Sequence, residues 1–116
     1  MSAVLAAATL QSSAASSSED VCRIHISETG GVVGVEAYLT AQGWADGSFF
    51  FTSISQVGSN RSQNFQAGMI PSNANLLLPA RLASVTLSTG PAARMEFRLQ
   101  FSKGRETAEC TAVFRQ

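Results

Sequence analysis

The stretch RMEFRLQFSKGR, residues 94–105, decides the fold. Met95, Phe97, Leu99 and Phe101 take every second position, while Arg94, Glu96, Arg98 and Gln100 fill the gaps. Successive side chains on a strand point to opposite faces. The segment therefore reads as a half-buried strand with an apolar inner face and a largely cationic outer one. SKGR then reverses the chain, and ETAECTAVF (106–114) repeats the alternation. The inner face has an obvious use in a core, which leaves the arginine-bearing face to be explained.

Working outward, the period stays at two from Val21 onward, and no helical spacing is sustained over ten residues. VCRIHIS (21–27) puts Cys22, Ile24 and Ile26 on one face and Arg23 and His25 on the other. ETGG turns the chain into VVGVEAYLT (32–40), where Val33, Val35, Ala37 and Leu39 fall together. A loop, AQGWADG, precedes SFFFTSIS (48–55), and the polar QVGSNRS reads as a turn before QNFQAGM (63–69). ARLASVTLS (80–88) follows the breaker IPSNAN and keeps Ala83, Val85 and Leu87 in phase. Seven short strands separated by Gly, Pro, Asn and Ser predict an all-β fold, an immunoglobulin-like seven-stranded antiparallel β-sandwich. A small closed barrel is the alternative.

The 116 residues make one domain with room for a single core. Formal charge is zero but unevenly spread: residues 1–60 hold one cation against five carboxylates, and residues 61–116 hold seven against three. The asymmetry predicts a polar partner surface, while the zero total argues against nucleic-acid binding. Residues 1–19 stand apart. AVLAAATL (3–10) is too short to span a bilayer, so no membrane insertion is expected. It resembles the back half of a secretory signal, with small residues near Ala14–Ala15, though no basic segment precedes it. We read 1–19 as a disordered tail or the remnant of an export signal, and 20–116 as the sandwich domain.

Cys22 and Cys110 lie on the inward faces of the first and last strands. Terminal strands of such sandwiches often run side by side, so parity and placement favour a disulfide over two buried thiols. Closing that loop would stabilise by about 4 kcal/mol. Nothing points to catalysis or to a cofactor. His25 is the single histidine and sits on a polar face, the cysteines point inward, and no glycine forms a phosphate loop. The chain is therefore expected to be no enzyme and to hold no metal. Phe50 falls opposite Phe49 and Phe51, so at least one ring of that run must cap a second core layer or be exposed. For these rings and Trp44, core packing is the first expectation and a contact patch the lesser one.

Residues 53–114 resemble the periplasmic curli amyloid inhibitors, the CsgC/CsgH family. The resemblance rests on NRSQNF, LPARLASVTLS, the alternating strand after it, the short Gly-containing turn and the last strand. CRIHIS, the Gly-Gly turn and the absence of a C-x-C pair bring it closer to the alphaproteobacterial CsgH branch, and the missing C-x-C removes support for a redox role. The resemblance implies an immunoglobulin-like sandwich in the periplasm; a monomer is expected. It implies that a secreted curli-type amyloid subunit is held back from polymerising, without ATP and at low ratio, by weak and partly charge-guided contact with early species. It carries over a location only, the basic strand region of Arg94, Arg98, Lys103 and Arg105. The bland reading of that face is a solvated surface that keeps the sheet soluble. The competing function is an exported binding module of adhesin, pilus-accessory or protease-inhibitor type.

Overall fold

The computed structural model describes residues 21–116. The expectation for residues 1–19 lies outside the described residues. Seven strands follow in order: β1 (Cys22–Thr29), β2 (Val32–Leu39), β3 (Ser48–Val57), β4 (Asn60–Met69), β5 (Ala80–Ser88), β6 (Arg94–Lys103) and β7 (Glu106–Arg115). The helical content among the described residues is one short 3-10 turn, Asn73–Asn75. All pairs are antiparallel. They form two sheets, one ordered β1-β2-β5 and one ordered β4-β3-β6-β7. The sandwich expectation holds, and the barrel alternative does not.

Turn chemistry sets the registers. Gly30 and Gly31 both take positive φ, 58° and 81°, which closes a two-residue hairpin between Thr29 and Val32. Gly58 and Gly104, at φ 61° and 60°, open the two-residue turns of the β3–β4 and β6–β7 hairpins. The polar segment 56–62 reads as turn throughout in the sequence. Only Gly58 and Ser59 leave the ladder, because the tight glycine turn lets Gln56, Val57 and Asn60–Ser62 stay paired.

Alternation builds the core as the sequence implied. Met95, Phe97, Leu99 and Phe101 are at most 2% exposed, and Val33, Val35, Ala37 and Leu39 at most 1%. Phe51 and Phe97 stack from neighbouring strands, with centroids 6.3 Å apart and planes 3° apart. Trp44 reaches in from the loop before β3 and packs on Phe101 at 5.6 Å. That ring is core, as expected.

The two sheets are fastened along both flanks. On one flank a disulfide joins Cys22 of β1 to Cys110 of β7, with Cα atoms 6.2 Å apart. Both cysteines are buried, so inward parity brought the two sulfurs together as expected. On the other flank the Gln66 side chain, on β4, reaches the backbone of Ser84 on β5. Its Nε2 donates to the Ser84 carbonyl at 2.5 Å, and its Oε1 accepts from the Ser84 N–H at 3.3 Å.

The outer face of the smaller sheet carries its own polar cluster. The Tyr38 hydroxyl donates to Glu36 at 2.8 Å, and Arg81 donates to the other carboxylate oxygen at 3.0 Å. The Tyr38 bond first, then Arg81, holds the Glu36 carboxyl below its usual range. A depressed folded-state pKa contributes stability above the unfolded-state value and loses it as pH falls through the folded one. Glu36→Gln is thus expected to lower the urea midpoint at about pH 7 and to match the parent at about pH 3. An equal deficit at both pH values would show that the charged form contributes nothing.

Candidate functional site

The arginine face lies on the outside of the larger sheet, and the registers place it residue by residue. Side chains alternate outward at Arg61, Gln63, Phe65 and Ala67 on β4, and at Phe50, Thr52, Ile54 and Gln56 on β3. On β6 the outward residues are Arg94, Glu96, Arg98 and Gln100, each facing β3 on one side and β7 on the other. One row runs Arg61, Gln56, Arg94, Arg115 across all four strands. The next but one runs Phe65, Thr52, Arg98, Thr111.

Of the four predicted residues, Arg94 and Arg98 share this face, and Lys103 and Arg105 do not join them. Lys103 has the parity of the core residues at the last position of β6, and its Nζ donates to the Gly43 carbonyl at 3.4 Å. Arg105 sits in the tip of the β6–β7 turn, the far end of the strand from Arg94. At about 3.4 Å per residue the two lie on the order of 30 Å apart.

Arg94 pairs with Glu96 at 3.0 Å, and Arg98 pairs with Glu109 at 3.0 Å. All four side chains are roughly half exposed, between 44% and 58%. Pairs of that kind contribute little to stability, about 0–1 kcal/mol, and leave guanidinium donors open to a partner. Two further arginines, Arg61 and Arg115, complete the face and were not singled out from the sequence. Arg115 has the outward parity of the last strand, one position past its expected end. Arg61 enters only because β4 begins at Asn60 instead of Gln63.

The face is not purely cationic. Phe50 and Phe65 stack on it with centroids 5.5 Å apart, at 40% and 57% exposure. Met69 and Val113 are also exposed there. Of the phenylalanine run, Phe51 enters the core and Phe49 covers the open backbone of Gly68, whose absent side chain makes room for the ring. Phe50 is the ring left outside. Among the described residues no group of three His, Cys, Asp or Glu converges as a metal site requires, and no helix is long and apolar enough to cross a membrane.

A scan of protein-family models and a search of curated protein sequences find no match. Solved structures do. The curli protein CsgC of E. coli aligns over 80% of this chain and 95% of its own, with a TM-score of 0.64 and 17% identity. CsgH of R. palustris aligns over 78% of this chain and 87% of its own, with a TM-score of 0.58 and 25% identity. The chain is CsgC/CsgH-like. The alignments take in most of both solved chains, so the likeness is to the greater part of each fold. At 17% identity the match to CsgC carries the fold alone.

Proposed function

We propose that this protein is a curli-associated, periplasmic inhibitor of amyloid-subunit polymerisation, a chaperone-like binding protein and not an enzyme. The observation that carries the reading is the outer face of the larger sheet. Arg61, Arg94, Arg98 and Arg115 stand there against two carboxylates, beside an exposed aromatic pair, on a CsgC/CsgH-like sandwich. The disulfide fits an oxidising compartment. Fixed cations on a rigid sheet draw in a polar, extended client over a distance of about the Debye length, ~10 Å at 0.1 M salt and ~3 Å at 1 M. The same arginines deny the client the dry, uncharged sheet surface on which cross-β structure grows. Lys103 and Arg105 lie off this face, at the turn end of the sheet, and in this reading add only long-range attraction to the encounter.

The test is polymerisation of a curli-type amyloid subunit followed by thioflavin-T, with this protein added well below equimolar. The wild type is expected to lengthen the lag phase, and less so as salt rises. Arg94→Glu with Arg98→Glu is expected to return the lag toward that of client alone. Each exposed change should cost under about 0.5 kcal/mol, so the variant stays folded. A double variant that delays fibres as well as the wild type at low and high salt would reduce the arginine face to a solubility device.

A further inference from the structure

Among the described residues, four strands border open edges of the two sheets, and three of these are protected. β1 carries Arg23, His25 and Glu28 and is tied to β7 by the disulfide. β7 carries Glu106, Glu109 and Arg115. β5 has a register shift opposite Ala37/Tyr38, and the Gln66 amide occupies the backbone donor and acceptor of Ser84. These are the usual devices against strand addition: charge, irregularity and cover. β4 has almost none. Its ten residues NRSQNFQAGM pair with β3 in unbroken register, contain no proline, and carry the single charge of Arg61.

Hairpin geometry says which backbone groups are open. The pair closing a two-residue hairpin is hydrogen-bonded, and bonded pairs alternate from there. Val57 and Asn60 close this one, and the Ile70 N–H donating to the Gly47 carbonyl keeps the same phase at the far end. Arg61, Gln63, Phe65, Ala67 and Met69 therefore turn their N–H and C=O groups away from β3. The side chains of those same residues lie on the outer face, with Phe65 and Met69 the most exposed apolar groups of the sheet at 57% and 68%.

We propose that the free edge of β4 takes up an extended strand of an acidic, amide-rich polypeptide, which joins the larger sheet as a fifth strand. Main-chain bonds to the five open residues supply affinity, and alternate side chains of the newcomer meet Phe65, stacked on Phe50, and Met69. Gln63 and Asn64 offer amides for side-chain ladders of the kind that glutamine- and asparagine-rich strands form. Charge selects an acidic partner, because four arginines face two glutamates on the sheet that the strand would extend. The arginines also prevent a second sheet from stacking on that face, so the strand is held without becoming a template. The inference deepens the proposed function and rests on it only for the natural client.

Proline separates edge from face. Ala67 directs its N–H to the open side, so Ala67→Pro removes a donor from the docking edge and none from the β3–β4 ladder. Ala67→Thr keeps the donor. The probe is a fluorescent synthetic peptide of about ten residues, alternating Gln and Asn with one Phe and an Asp at each end. The wild type and Ala67→Thr are expected to bind it, and Ala67→Pro to bind about tenfold more weakly or worse, from the lost bond and the ring's bulk. In the wild type, added peptide is expected to slow amide exchange at Gln63, Phe65, Ala67 and Met69, a readout that needs no variant. Equal binding by Ala67→Pro, or binding without protection of those amides, overturns the proposal. So does a wild-type dimer that Ala67→Pro converts to monomer, which would give the edge to a second copy. Peptide binding by a wild type that leaves fibre lag unchanged would sink the proposed function and spare the edge. Full inhibition by Ala67→Pro, lost in the double arginine variant, would do the reverse.

Discussion

Phe97→Ala is expected to destabilise the domain by about 3–5 kcal/mol, at the upper part of that range. Phe97 is 2% exposed at the middle of β6 and lies flat against Phe51. Its cross-strand partners are Ser53 and Ala112, both too small to fill the space that a lost ring would leave. Collapse around the site is therefore poor, and the cavity cost adds to the lost burial. Domains of this size are stable by about 5–15 kcal/mol, so the variant sits near the edge of folding. Urea unfolding followed by far-UV dichroism gives the number, and a loss below about 1.5 kcal/mol would contradict the packing described.

Removing the disulfide is expected to cost about 4 kcal/mol, since the bridge spans 88 residues of sequence and constrains nearly the whole described chain when unfolded. Cys22→Ala with Cys110→Ala suits the test, because serine would bury a hydroxyl at two apolar positions. For about a hundred residues, each kcal/mol moves Tm by about 4–8 °C, so a fall of about 15–30 °C is expected. Reduction of the parent protein should reproduce it. Inhibition at a temperature where the reduced protein stays folded should persist, because the bridge lies on the opposite flank from β4. An unchanged Tm after reduction would mean that the bridge adds nothing.

The sequence was legible wherever one face of a strand is buried. β6 could be read residue by residue as far as Phe101, and parity put Cys22 and Cys110 inward and so favoured their bridge, because the apolar alternation carries both. β4 could not be read to its start, since its exposed residues place polar side chains on both faces and offer no alternation to follow. Asn60, Arg61 and Ser62 look like turn for that reason. The site suffered most. Arg94 and Arg98 were found on their own strand, but Arg61 and Arg115 join them only through hairpin registers, which a linear reading does not contain. Lys103 looks like part of a turn because the apolar alternation stops at Phe101, two residues before β6 does, so its core parity is not visible in the sequence. Trp44 lies in a loop, and its place against Phe101 follows from the core's shape and not from any period.

The Gln66–Ser84 contact gives the sandwich the mechanics of a bound book. The sulfur bridge is the spine, permanent and at one margin. The glutamine amide is a clasp at the opposite margin, made of two reversible bonds that water can replace. Opening of the sandwich is therefore expected to begin at the clasp, with the flank bordered by β4 and β5 parting before the bridged one. That flank is also the side on which the proposed extended chain would arrive.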